Sequence, residues 1–226
     1  MSVLFDLHVH TAEVSRCAHA SGAQMAAQYR ALGYDGFVLT NHMTPEYVRD
    51  FSSHEDCIAE YAGGFHTARD AGEALGLTVL PGMELRFAES NNDYLVYGFS
   101  IDMVPELMQT VHWGLARFFE TYHDRLAIIQ AHPCRTYSSA PADACYLHGV
   151  EILNTSHAPE FNTLARRHWR VNAAQLVATA GCDAHNVADV GRTGVLFEQR
   201  PASGAELAHL VKTGAFTISR NPRVKP

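Results

Sequence analysis

Short apolar runs alternate with amphipathic stretches along the whole chain. Residues 3–9 (VLFDLHV) read as a strand, and residues 23–32 follow as a helix that stops at Gly33. Residues 36–40 (GFVLT) are a second apolar run, and a long helical pattern over 55–75 ends at Gly76. Further strands are expected at 77–80, 93–99, 126–131, 150–153 and 176–179, with helices over 104–122 and 160–174. The tail adds 195–197, a helix over 205–211, and 216–218. Strands alternating with helices predict βα units and a mainly parallel sheet. About seven strands in one unbroken alternation predict an α/β fold closed as an incomplete barrel. No repeat or linker interrupts it, so a single domain over residues 1–226 is expected. Residues 135–148 (RTYSSAPADACYLH) lack periodicity, as functional or mobile loops often do.

Composition narrows the class. Hydrophobic residues are 47% and charged residues 18% of 226, ordinary for a globular protein with one core. No apolar run approaches the roughly 20 residues that span a bilayer, and the N-terminus has no basic, apolar leader, so a cytoplasmic protein is expected. The five cysteines (Cys17, Cys57, Cys134, Cys145, Cys182) form no CxxC pair and suit reduced thiols. A net charge of −7 argues against an extended nucleic-acid surface. The one basic cluster, Arg166, Arg167 and Arg170, reads as a solvated helix face. The 14 histidines are the unusual number, because imidazole is the commonest metal ligand.

Their placement carries the chemistry. His8 and His10 sit two apart at the end of the first strand, where period-two alternation puts both on one face. His42 follows the second strand, Glu84 the third and His132 the fifth, while Asp183 and His185 follow the seventh. In a barrel these C-terminal strand ends line the mouth. Mixed imidazole and carboxylate donors suit zinc, manganese or iron(II), and the absence of paired thiolates argues against a structural zinc site. A carboxylate such as Glu84 can bridge two cations about 3.5–4 Å apart, an arrangement that activates water for hydrolysis. Arg86 and Arg135, just past Glu84 and His132, and Arg192 could grip a phosphate or pair with a carboxylate. Glu151 and Asn154, at another strand end, read as supports for the ligands. His157 lies in an expected mouth loop; the remaining histidines have no such placement.

Taken together, Asp6-Leu-His8-Val-His10-Thr11, Thr40-Asn41-His42, Gly82-Met83-Glu84, Ala131-His132-Pro133 and Asp183-Ala184-His185 resemble the polymerase and histidinol phosphatase (PHP) superfamily. The resemblance spans residues 6–185. It implies a distorted (β/α)7 barrel with two or three divalent ions. His8, His10, Glu84 and Asp183 would bind one ion, Glu84 would bridge to a second held by His132, and His42 and His185 would take a third. Two positions depart from the pattern. Where many relatives carry an Asp or His, this chain reads Ser15-Arg16-Cys17-Ala18-His19, and Cys17, His19 or the nearby Glu13 is the candidate for that role. The fourth strand, with Tyr94 and Tyr97, lacks the histidine that many relatives place there.

The expectation is a metal-dependent phosphoesterase acting on a small or terminal phosphoester, or a short nucleotide, through a metal-activated water. Glu84, His132, Asp183 and His185 are the expected catalytic set. Two alternatives stand beside it. An amidohydrolase-like enzyme often bridges its metals with a modified lysine, but the only lysines here are Lys212 and Lys225. A non-catalytic, metal-stabilised module should have lost ligands.

Overall fold

The apolar runs fold into one strongly curved sheet. The computed structural model describes residues 2–135 and 139–220. Its strands are β1 (Val3–Val9), β2 (Gly36–Leu39), β3 (His42–Met43), β4 (Thr78–Arg86), β5 (Asp93–Tyr97), β6 (Ala127–Gln130), β7 (Gly149–Asn154), β8 (Val177–Gly181), β9 (Gly194–Phe197) and β10 (Thr217–Ser219). The helices are α1 (Gly22–Ala31), α2 (Pro45–Arg49), α3 (His54–Ala74), α4 (Val104–Met108), α5 (Leu115–Tyr122), α6 (Pro159–Val171) and α7 (Gly204–Thr213). Thr136, Tyr137 and Ser138 of the aperiodic loop, and Lys225, lie outside the described residues.

Strand order is β10-β9-β1-β2-β4-β5-β6-β7-β8, with β3 continuing the line of β2 beside β4. The end of β1 meets the segment that follows β8. Val9 bridges Ala184 in parallel, through His10 N to Ala184 O at 3.0 Å and Ala184 N to His8 O at 3.3 Å. The result is an α/β fold with a distorted, nearly closed seven-stave barrel. Strand β9 lies antiparallel against the start of β1, and β10 lies antiparallel against β9 on its other side. Side chains including Leu7, Val38, Leu95 and Tyr97 pack together inside it, and α7 lies against β4, β5, β6 and β8. Helices α1 and α3 end where the sequence expects, at Gly33 and Gly76, both with positive φ.

Three local expectations need correction. The fourth strand, β5, is antiparallel to both β4 and β6. Only residues 87–92 join β4 to β5, too few for the crossover of a dozen or more residues that a parallel pair requires. The reversal puts Asp93 at the mouth and Tyr97 at the opposite end. Strand β4 also runs past the expected stop at Leu80, so Glu84 lies within the strand and not after it. Pro81 lies opposite Leu39, the last residue of β2, and one residue before the pairing with β5 begins at Gly82, an end of both ladders where a missing N–H is tolerated. Finally, the expected helix over 104–122 breaks into α4 and α5. The break is at Gly114, where Glu89 Oε1 accepts from Leu115 N at 2.7 Å and leaves no room for a side chain.

A register irregularity between Asp6 and Val9 aims the site. Asp6 faces outward, accepting from Tyr29 Oη of α1 at 2.7 Å. Past the irregularity Val9 packs outward with Leu39 and Tyr29, so His8 and His10 turn into the mouth. Such bulges commonly re-aim side chains beside functional sites.

Candidate metal centre

Seven donors from five separate stretches converge at this mouth: His8, His10, His42, Glu84, His132, Asp183 and His185. Glu84 Oε2 lies 2.8 Å from His42 Nε2, 3.3 Å from His10 Nε2 and 3.5 Å from His8 Nε2. Its other oxygen, Oε1, lies 2.9 Å from His132 Nε2. Asp183 divides its oxygens the same way. Oδ1 stands 3.2 Å from His10 Nε2, 3.4 Å from His8 Nε2 and 3.5 Å from His185 Nδ1, and Oδ2 lies 3.9 Å from His132 Nε2. Both carboxylates therefore reach two sides of the cluster, as a bridging ligand must. Three-donor sets with all atoms within 4.8 Å of one another include His8–His10–Glu84, His8–His132–Asp183 and His10–His42–His185.

Donor counting fixes the imidazole tautomers and tests whether a cation fits. Ser15 Oγ spends its single proton on Asn41 Oδ1 at 2.9 Å, so it can only accept from His10 Nδ1 at 3.2 Å. Glu151 Oε1 accepts from His8 Nδ1 at 2.9 Å. The Asp183 carbonyl accepts from His185 Nδ1 at 3.0 Å. Each of these rings donates from Nδ1, which leaves Nε2 as the atom a cation would bind once any proton on it is displaced. The Nε2 atoms of His8 and His10 are fully buried and have no hydrogen-bond partner. Buried polar atoms are almost always paired, and two orphaned nitrogens beside two carboxylates are the donor chemistry of a divalent cation.

Burial penalises charge on all of these groups, and their mutual fields decide the outcome. Burial raises the carboxyls of Glu84 and Asp183, but the charge of His8, with His42 beside Glu84 and with His10 and His157 beside Asp183, holds both well below the usual carboxylate range. Burial lowers His8, and Asp183, Glu151 and Glu84 outweigh it, so the net shift is upward. Burial likewise lowers His42, yet Glu84 and Cys17 push it to about 10. His10 falls to about 3, first by burial and then by the charge of His42. Without a metal, protons on His8 and His42 balance the carboxylates; a cation would replace them.

The surrounding polar groups hold the ligands in place. Asp6 Oδ1 accepts from the backbone N–H of both His8 and Cys182, tying β1 to the segment carrying Asp183. Asn41 Oδ1 also accepts from Thr11 N, and Ser15 Oγ accepts from His42 N. Glu151 Oε2 accepts from His132 N and from Asn154 Nδ2, which also donates to Asp183 Oδ2. Glu151 and Asn154 thus touch three of the ligands. Two of the candidate ligands, His132 (φ 24) and Asp183 (φ 54), have positive φ, a conformation costing about 1–3 kcal/mol that persists only where the surroundings impose it. We expect Glu151→Gln to weaken metal binding by roughly 10–100-fold, because its amide N–H₂ must face another donor in either orientation. A competitive chelator titration measures this; unchanged affinity would remove Glu151 from the centre.

Other expectations resolve differently. Glu13 accepts from Gly22 N at the start of α1, and His19 is exposed. Cys17 is the one of the three beside the ligands, with Sγ 3.7 Å from His42 Nδ1. Its thiol is raised by burial but brought down to about 6 by hydrogen bonds from His185 and His42. On β5, Leu95 is paired with Glu84, so this strand offers no donor at that level. Arg192 is exposed and donates to Ala188 O, turning back on its own loop. Arg86 and Arg135 both reach the mouth and share Asp93. Asp93 was missed because its strand was expected to run the other way. His157, whose role the sequence left open, places Nε2 3.2 Å from Asp183 Oδ2.

A nearly closed α/β barrel with this cluster at its mouth has the fold of the PHP-like metal-dependent phosphoesterases. No protein-family model matches the chain, and no curated protein matches it significantly. Solved structures do. PsfC from Pseudomonas syringae PB-5123 superimposes with a TM-score of 0.70 at 16% identity, over 98% of this chain and 94% of that one. A two-domain Bacteroides vulgatus protein containing a predicted PHP-like metal-dependent phosphoesterase gives 0.67 at 16% identity, over 97% of this chain and 65% of that protein. An amidohydrolase from Chromobacterium violaceum, solved with bound sulfate and no metal, gives 0.56 at 14% identity over 96% and 98%.

Proposed function

We propose that the chain is a metal-dependent phosphoesterase of the PHP superfamily, hydrolysing a small or terminal phosphoester. The observation carrying this reading is the pair of buried, unpartnered Nε2 atoms on His8 and His10, aimed at two carboxylates that each reach two sides of the cluster. Two divalent cations, with His42 and His185 offering donors for a third, would supply an acidified water and neutralise charge on the phosphoryl oxygens. Zinc, manganese and iron all suit this donor set. The chain's own residues do the rest. Glu84 and Asp183 hold the two halves of the centre at a fixed separation, and Ser15, Glu151 and the Asp183 carbonyl keep three imidazoles in the ligating tautomer. His132 and His185 lie close enough to help move a proton. Arg86 and Arg135 face the substrate's phosphate.

A cavity of about 290 Å³ lined by Cys17, His42, Tyr47 and Arg86 opens beside the ligands. That is the lower end of the small-ligand range, which favours a small molecule or short nucleotide over a polymer. Among the described residues the amidohydrolase-like alternative finds no bridging lysine. Lys212 Nζ donates to the carbonyls of His123 and Asp124, on the turn that precedes β6. Among the described residues no helix is long and apolar enough to cross a membrane. The test is elemental analysis of the purified protein, followed by assay of the metal-loaded enzyme on phosphomonoesters, phosphodiesters, amides and lactones. Hydrolysis confined to phosphoesters supports the reading; turnover of amides or lactones alone overturns it.

A further inference from the structure

The reversal of β5 brings Asp93 opposite Arg86 at the mouth, and its carboxylate is only 2% exposed. Oδ1 accepts from Arg86 Nε at 2.7 Å and Oδ2 from Arg86 Nη2 at 3.0 Å, a bidentate pair. Arg135 Nη2 lies 3.0 Å from the same Oδ2. An oxygen of Asp93 also falls within 4.8 Å of donor atoms on Glu84 and His132, which by distance alone could make it a metal ligand. Charge argues otherwise. Both oxygens are engaged by guanidiniums, so neither is left to a cation, and the trio of Asp93, Arg86 and Arg135 by itself carries +1, with Glu84 and Glu46 also near Arg86.

The two arginines are held by more than this pair. Arg135 follows His132 in a tight turn, with its N–H donating to the His132 carbonyl at 3.1 Å and Cys134 at φ 70. Farther along the chain, Ala140 N donates to Oδ1 of Asn92, the residue just before β5, at 2.9 Å. Both side chains stay partly open, 27% and 28% exposed. Arg86 also lines the cavity that contains His42. Asp93 occupies the Nε–Nη2 edge of Arg86, which leaves Nη1 outside the pair.

We propose that Asp93 is a positioning residue that presets Arg86 and Arg135 as a two-guanidinium clamp for the substrate's phosphoryl group. A free arginine loses about 2 kcal/mol of rotamer entropy when fixed, and Asp93 fixes both before the substrate arrives. The inference deepens the phosphoesterase reading and rests on it for the identity of the anion.

Charge and positioning predict opposite signs, which makes the test sharp. Removing a carboxylate should strengthen anion binding if only field matters; it weakens binding if Asp93 acts by holding the arginines. The experiment titrates inorganic phosphate calorimetrically into the metal-loaded protein. The clamp predicts that Asp93→Asn raises the phosphate Kd by roughly tenfold, with metal content unchanged and circular dichroism showing the barrel still folded. Asp93→Glu should recover part of the loss. In an Arg86→Gln/Arg135→Gln background Asp93→Asn should add nothing. With a phosphoester substrate, KM rises while kcat stays within a few-fold. Tighter or unchanged phosphate binding, loss of a bound metal, or a wild-type protein that binds no phosphate would each overturn the clamp. Phosphate binding that depends on Asp93 in a protein that hydrolyses no phosphoester keeps the clamp and sinks the phosphoesterase assignment.

Discussion

Asp183→Asn lowers metal-dependent turnover by on the order of 10²–10³-fold or more, the scale for losing one electrostatic element of a preorganised site, while the barrel stays folded. The residue earns this expectation by its reach. Its two carboxylate oxygens contact His8, His10 and His185 on one side, and His132 and His157 on the other. The amide keeps the volume and one acceptor oxygen but loses the negative charge and the second acceptor, so it can no longer serve both halves. His10→Ala should do comparable damage, because it empties the donor shared by two of the three-donor sets. Circular dichroism and elemental analysis beside steady-state kinetics separate the causes. Either variant retaining full turnover and full metal content would show that these residues are not the ligands.

Metal removal and pH should act together. A cation present at about a thousand times its Kd stabilises the folded state by about 4 kcal/mol. For a chain of this length that corresponds to a fall in Tm of about 8–16 °C on chelation. The sign of the pH effect follows from the imidazoles. In the metal-free chain His42, raised to about 10, and His8, also raised, carry protons at neutral pH that a cation must displace. Apparent metal affinity therefore rises with pH, by about tenfold per unit for each proton released. Between about pH 6 and pH 9 this should appear as calorimetric proton release. His42→Gln should release fewer protons. Affinity flat across this range would mean that the site is already deprotonated, contrary to the charge balance drawn here.

Much of the centre was legible in the chain alone, for a specific reason. Period-two alternation and strand ends are local properties, and ligand-type residues at those ends stand out. His8, His10, His42, His132, Asp183 and His185 were each placed this way, and the structure brings them together. Glu84 was found as well, although its strand proved longer than Pro81 seemed to allow. Asp93 was not found, because its importance depends on strand direction. The short 87–92 connection held that information, but the alternating pattern on either side masked it. The commitment of Arg86 and Arg135 to one carboxylate, and the approach of His157 to Asp183, depend on neighbours far away in sequence.

The sequence by itself determined which residues could ligate and which end of the strands would carry them, since both follow from residue chemistry and backbone period. Only the tertiary structure decided how those donors divide between two sides of Glu84 and Asp183, which nitrogens are left without partners, and where the arginines point. Those outcomes are set by barrel closure through Val9 and Ala184 and by the reversal of one strand, contacts made between distant parts of the chain that no local pattern encodes.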